Sequence, residues 1–340
     1  MEKYNIALSW EKNKCFFTDT LISISKKKNL SFLWVDENNV EDVIKKLQKN
    51  QLRIDVMVDT EATYDIPGDL YSRLNFAVKD SGGVVITDPD RTRMYVDKTV
   101  MYYEILDSKI VTPYTVVVRN WEPRSFRVSE DEKRELGGPF IIKPGCGWGH
   151  RGVVYNAKGT MREIAKARDF DRGDNFLLQE KIIPVDLDGK RAWFRVFHVF
   201  DTIILCWWDD RVSHYEHVTV EEFHKHKLSP FVEIIAKIGK LTRMTWFSTE
   251  IAIDIKNGKR RIVTIDYVND QCDMEAATES KDGVPNEIVN FTANSIINAA
   301  ERVIKKRKGK SKKEYTILFH KNRKLKMEGL GSPPELLGQG

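Results

Sequence analysis

Over its first 90 residues the chain alternates short apolar runs with helix-spaced segments, and this alternation limits the fold more than any other feature of the sequence. Runs rich in strand formers fall at 5–10, 30–35, 54–58 and 84–87. Between them, Val40, Val43, Ile44 and Leu47 recur at helical spacing across 40–48, and Pro67 opens a segment with Leu70, Leu74 and Ala77 on one face. Ser81-Gly82-Gly83 stops that segment. Strand–helix alternation of this kind predicts a parallel, mostly buried sheet, an α/β layer arrangement. No GxGxxG follows the first run, which removes the dinucleotide-binding fingerprint from consideration.

From about residue 91 the pattern changes. Asp97 is placed to cap a helix running to Leu106, strands are expected at 114–118 and 140–143, and a Gly-rich loop follows. Beyond it the expected elements are a strand at 153–155, a helix at 161–168 and a strand at 176–180. Strands then dominate, at 192–200, 202–208 and 215–220, before an amphipathic helix at 230–241. Asn257-Gly258 is a hairpin turn signal and joins strands 248–255 and 261–269. A long helix is expected over 287–306, and residues 329–340, with Pro333-Pro334 and four glycines, are expected to be disordered. Domain boundaries are accordingly expected at 1–90, 91–175 and 176–308, with 309–340 a basic, disordered tail.

Composition excludes several classes. With 41% hydrophobic and 31% charged residues the chain is of ordinary globular type, and no apolar run approaches the roughly 20 residues that span a bilayer. The N-terminus enters a strand pattern directly, so a cytoplasmic location is the expectation. Cys15, Cys146, Cys206 and Cys272 lie far apart and suggest neither a disulfide framework nor a zinc knuckle. The net charge of +5 comes largely from one run, Lys305, Lys306, Arg307, Lys308, Lys310, Lys312 and Lys313. Lacking interleaved aromatics, that run reads as a solvated helix end rather than a nucleic-acid contact.

Chemistry is concentrated in three places. The strand Phe140-Ile141-Ile142-Lys143 delivers a lysine to a loop in which Gly145, Gly147, Gly149 and Gly152 fall within eight residues. A lysine at a strand end meets phosphate oxygens as a point charge, and glycines let backbone N–H groups close over them. The second is the apolar strand ending in Gln179-Glu180, whose following backbone could pair with an adenine edge. The third is the hairpin, where cross-strand partners have numbers summing to about 515. That register puts Glu250 beside Ile265 and Asp266 at the open end and Asp254 near Arg261 halfway to the turn. Hard oxygen ligands on stiff strands suit Mg²⁺. Of the histidines, His214, His217, His224 and His226 share no single face and are read as solvent-facing or substrate-side groups rather than a metal site.

Taken in order, a lysine opening a helix at Lys98, a Lys-Pro with a Gly-rich loop, a Gln-Glu hinge, an Arg-bearing strand and an acidic hairpin ending in Asn resemble the ATP-grasp superfamily. The resemblance covers roughly 84–300 and implies an α+β ATP-grasp fold of two lobes, preceded over 1–90 by an α/β domain. It implies ATP and Mg²⁺ as cofactors. Lys98 and Lys143 then look like the phosphate-contacting lysines, and Gly147, Gly149 and Gly152 like a mobile flap. Glu180 and Ile182 look like the adenine hinge, Asp186 is the nearest candidate for the ribose, and Arg195 resembles the arginine on phosphate or intermediate. Glu250, Asp266 and Asn269 resemble the metal ligands. Trp193 stands where the family often has an acid, and Asp266 and Asn269, three apart, need a bulge at Tyr267-Val268 to share a face.

The activity so implied is ATP-dependent ligation. A small-molecule or peptide carboxylate is activated as an acyl phosphate and joined to an amine or thiol. Ligation of this kind requires no covalent protein nucleophile, which fits the absence of a GxSxG-type motif; a small-molecule kinase and a non-catalytic nucleotide-binding regulator are the alternatives.

Overall fold

The computed structural model describes residues 1–340 apart from 12, 148, 210, 213, 306–313 and 337–340. Most of the basic run and Trp148 of the Gly-rich loop therefore lie outside the described residues. Contacts divide the chain into two units, each discontinuous in sequence. One comprises Met1–Arg93, Trp193–Thr249 and Asn269–Gly340, the other Met94–Ala192 and Glu250–Val268.

In the first unit the expected alternation becomes a four-stranded, all-parallel sheet. Its spatial order is Phe32–Val35, Glu2–Ser9, Leu52–Val58, Val84–Ile86. Successive side chains leave opposite faces, so Ile6, Leu8, Val56 and Val58 enter one apolar cluster while Ala7 and Met57 enter another. The second face is closed by the helices Val40–Gln48 and Leu70–Asp80, through Val43, Ile44, Leu47, Leu74 and Val78. The first face is closed by Phe17 and Leu21 of Phe16–Lys27 and by the long helix Asn286–Ile304, through Ile288, Ala293, Ile296 and Ile297. Because that same cluster includes Phe197, Val199, Ile204 and Trp246, the parallel sheet shares its core with strands far along the chain.

Those strands form a second, mostly antiparallel sheet of the first unit. Trp193–Val199 pairs with Thr202–Asp209, whose other edge carries two neighbours end to end. His214–His217 lies along Cys206–Asp209, and Tyr315–Phe319 lies parallel along Thr202–Ile204. Of the tail expected to be disordered over 309–340, residues 309–313 and 337–340 lie outside the described residues, and the described part is ordered. Tyr315–Phe319 and Arg323–Met327 make an antiparallel hairpin, and Leu336 is buried in the core of this unit. Glycine and proline content after residue 328 hid a strand, Tyr-Thr-Ile-Leu-Phe, that buries four of its five side chains against a sheet no local pattern reveals.

The second unit holds an antiparallel sheet ordered Thr115–Val118, Phe176–Gln179, Phe140–Pro144, Val154–Ala157. Val118, Leu136, Phe140, Ile142, Ile164 and Phe176 fill its core beneath the short helices Glu130–Leu136 and Met161–Ala167. Asp97 caps the helix Lys98–Asp107 as expected, accepting from the Thr99 amide at 2.7 Å. The hairpin turn at Asn257-Gly258 has both residues at positive φ, 53° and 74°, the geometry that an Asn-Gly pair adopts without strain. Among the described residues no helix is long and apolar enough to cross a membrane.

Candidate active site

Within the second unit the helix that starts at Lys98 and the strand that ends at Lys143-Pro144 meet at the Gly-rich loop. The Lys98 amide donates to the Gly145 carbonyl at 2.9 Å, and its ammonium donates to the Gly147 carbonyl at 2.8 Å. Gly147 sits at φ 146°, which a side chain would resist, and Gly152 has no room for a Cβ because the Phe170 ring would lie 2.5 Å away. Both glycines are thus required by the loop's path. Gly149 also has positive φ and is exposed.

Lys143 is the centre of the cluster. Its ammonium donates to the Ile265 carbonyl at 3.2 Å and lies 5.9 Å from the centroid of the Tyr267 ring. Burial pushes its pKa down to about 8, the Asp266 carboxylate pulls the other way, the Lys98 charge lowers it further, and Glu250 raises it. Two cations and two carboxylates from four different elements therefore feel one another here. Tyr267 is buried and receives a hydrogen bond from Gln179 at 3.3 Å, tying the hairpin to an inner strand of the sheet. Such a constellation offers an anion two ammonium groups and the loop amides. It offers a divalent cation the hard oxygens of Glu250 and Asp266, a donor set that fits Mg²⁺.

A second ionic group closes the hairpin nearer its turn. Arg261 donates to Asp254 at 2.9 Å through Nε and again through Nη2, and to Glu180 at 3.0 Å and 3.3 Å. Glu180 also accepts from the Tyr114 amide at 3.1 Å and pairs with Lys256 at 2.9 Å. Burial works to raise the Glu180 pKa, but these donors hold it below the usual carboxylate value. The register inferred for Asp254 and Arg261 is the one observed. The carboxylate of Glu180 is fully engaged in this group, so a base could be read only by the backbone of 180–182, where Ile182 is buried. Asp186 is exposed and its Oδ1 accepts from the Gly189 amide at 2.7 Å, closing the tight Asp188-Gly189 turn.

Arg195 belongs to the first unit. Its guanidinium carbon lies 5.3 Å from the Trp208 ring centroid, and Nη1 is 3.5 Å from the Ser248 hydroxyl. With the Asn269 amide turned to satisfy both its atoms, its oxygen accepts from Arg195 Nη1 at 3.1 Å and its nitrogen donates to the Gln271 carbonyl. Trp207 is core, packed against Phe194 with centroids 4.3 Å apart, whereas Arg211 is an exposed partner of Asp209 at 2.6 Å.

Sequence reasoning missed Asp174. It accepts from the Cys146 amide at 2.7 Å through Oδ2 and from its neighbour Asn175 through Oδ1, and thereby anchors the entry to the Gly-rich loop. Burial pushes its pKa up to about 6, although both amides favour the ionised form. No motif marks this residue; an Asp-Asn pair just before a strand reads as an ordinary turn.

No protein-family model matches this sequence, and no curated protein matches it either. Solved structures do. D-alanine–D-alanine ligase from Bacillus anthracis complexed with ATP is 16% identical, with a TM-score of 0.57 over 90% of this chain and 99% of that one. D-cycloserine synthetase DcsG is 12% identical, with a TM-score of 0.58 over 88% and 99%. ATP-grasp ligase PsnB, complexed with minimal precursor, Mg and ADP, is 11% identical, with a TM-score of 0.54 over 86% and 98%. The chain has the ATP-grasp fold, as its motif order implied.

Proposed function

We propose that this protein is an ATP- and Mg²⁺-dependent ligase that joins a carboxylate to an amine or thiol. The observation that carries the proposal is the gathering of Lys98, Lys143, Glu250 and Asp266 about a glycine-rich loop, within a fold shared with ligases. In this reading 1–90 precede the nucleotide-binding part, 91–175 bring the loop and 176–308 the metal carboxylates. Lys143 and Lys98 bind the phosphates, with Gly147, Gly149 and Gly152 closing over them, and Arg195 steadies the phosphorylated intermediate. The backbone of Glu180 and Ile182 receives the adenine edge, and Asp186 is the nearest group for the ribose. Glu250, Asp266 and Asn269 would hold Mg²⁺, which when bound neutralises charge on the transferring phosphoryl group. A substrate carboxylate oxygen attacks the γ-phosphorus and ADP leaves; the amine or thiol then attacks the acyl carbon and phosphate leaves. The cytoplasm, where ATP is plentiful, is the corresponding location.

The test is product analysis. Purified protein is incubated with ATP, Mg²⁺ and pools of amino acids, hydroxy acids and short peptides, with amines or thiols as acceptors. Release of ADP and free phosphate that depends on a carboxylate, with a product heavier by the acceptor less water, is the expected result. ADP with a phosphorylated acceptor would instead make the protein a kinase, and calorimetry showing nucleotide binding without turnover would make it a regulator.

A further inference from the structure

A polar cluster in the first unit lies outside everything assigned above. His217 ends the strand His214–His217, Glu287 lies in the first turn of the helix Asn286–Ile304, and His320 directly follows the strand Tyr315–Phe319. One ligand atom from each lies within 4.8 Å of the other two. His217 Nδ1 is 2.6 Å from Glu287 Oε1, and His320 Nδ1 is 3.0 Å from the same oxygen. The other carboxylate oxygen is held by the Lys321 amide at 3.0 Å.

The far side of the His217 ring carries the argument. Nε2 faces the Leu318 carbonyl at 3.0 Å, so it must carry a proton. With Nε2 committed to that carbonyl, Nδ1 is the ring's one free ligand atom, and it faces the Glu287 carboxylate, where it either donates a proton or, once deprotonated, offers its lone pair to a cation. A metal-bound histidine donates its second ring N–H to a backbone carbonyl for this reason, which fixes the tautomer and the ring orientation. The side chain of His217 is only 2% exposed while that of His320 is 49% exposed, so the cluster has a rigid floor and an open mouth.

We propose that His217 Nδ1, Glu287 Oε1 and His320 Nδ1 form a binding site for a transition-metal dication of the Zn²⁺ type. Two imidazoles and one carboxylate suit Zn²⁺ and not Mg²⁺. Tetrahedral ligation at about 2.0–2.2 Å separates neighbouring ligand atoms by about 3.3 Å, so the donors need to move by less than about 1 Å. The ion fastens the Tyr315–Met327 hairpin to the long helix and to His214–His217, joining segments 70 and 33 residues apart in sequence. Water completes the coordination from the exposed side of His320.

The test uses the full chain stripped with a chelator and titrated with Zn²⁺ in competition with a chromophoric chelator. One equivalent should bind with a Kd below about 10 µM and raise Tm, and Co²⁺ should give the intense visible bands of a four-coordinate ion. His320→Ala, at an exposed position, should keep the metal-free Tm, lose at least about tenfold in affinity and lose the Tm rise, and Glu287→Gln should lose affinity likewise. His224→Ala, on an exposed helix face, should change nothing. Binding no tighter than that of isolated surface histidines, equal affinity in His320→Ala, or a His217 ring that keeps both protons in the presence of Zn²⁺ would each overturn the assignment. In that event the cluster is a buried imidazolium–carboxylate pair.

Discussion

The two ends of the Glu250–Val268 hairpin carry similar side chains and use them oppositely. Towards the turn, Asp254 and Glu180 share the guanidinium of Arg261, and every charge has a partner held by strand geometry. At the open end, the pKa of Lys143 is pushed down to about 8 by burial even though Asp266 and Glu250 pull on it. One end is an ion network that closes a strand pair. The other holds a charge that its surroundings only partly compensate, the condition expected where a ligand supplies the rest. Residue type does not separate the two; the completeness of the partner set does.

The strongest way to break that contrast is Lys143→Met. Turnover should fall at least about 10³-fold, equivalent to about 4 kcal/mol, because the ammonium proposed to meet the phosphates is lost. Stability of the ligand-free chain should rise by about 1 kcal/mol at neutral pH. The sign follows from linkage. A lysine whose folded pKa is lowered stabilises the fold fully above its unfolded pKa, and that contribution is lost as pH falls through about 8. The gain from Met should therefore be largest below pH 8 and vanish towards pH 10.5, which thermal unfolding across pH will measure. A destabilised variant would show that Lys143 belongs with the turn end.

Next in size is Asp266→Asn. A drop of about 10²–10³ in Mg²⁺-dependent rate, with Tm within a few degrees of the parent, is expected from steady-state assays and calorimetry. Arg261→Met should reverse the pattern. Leaving Asp254 and Glu180 without their shared guanidinium should cost about 2–3 kcal/mol by denaturant titration, while the rate at low temperature stays within about tenfold. Asp254→Asn should be the mildest, about 1 kcal/mol, since Arg261 keeps Glu180. A large rate loss with Asp254→Asn would erase the distinction between the two ends.

How well these groups could be read beforehand depended on where their partners lay. Asp254 and Arg261 follow from a turn and a period of two, because a two-residue turn with three residues of regular strand on each side leaves no freedom in the pairing. Lys98 and Lys143 stand out because a helix start and a glycine-rich loop mark them locally. Asp174 and the Glu180 network have no such mark: Glu180 takes bonds from residues 66 and 81 positions away. The histidine cluster is further still from any motif. His320 comes beside Glu287 only because Tyr315–Phe319 adds parallel to Thr202–Ile204, a strand that the glycine- and proline-rich sequence after it conceals.

By itself, then, the sequence determined the parallel sheet of the first 90 residues, the hairpin and its register, the capped helix at Lys98 and the order of motifs that implies the ATP-grasp fold. Each rests on periodicity, turn chemistry or capping, which act over a few residues. Only the tertiary structure decided which strands share a core, that Arg195 engages Asn269, that Lys143 is held at a lowered pKa, and that the chain's last strands complete a sheet. These depend on contacts between residues far apart in the chain, where closure entropy and burial, rather than local preference, select the partners.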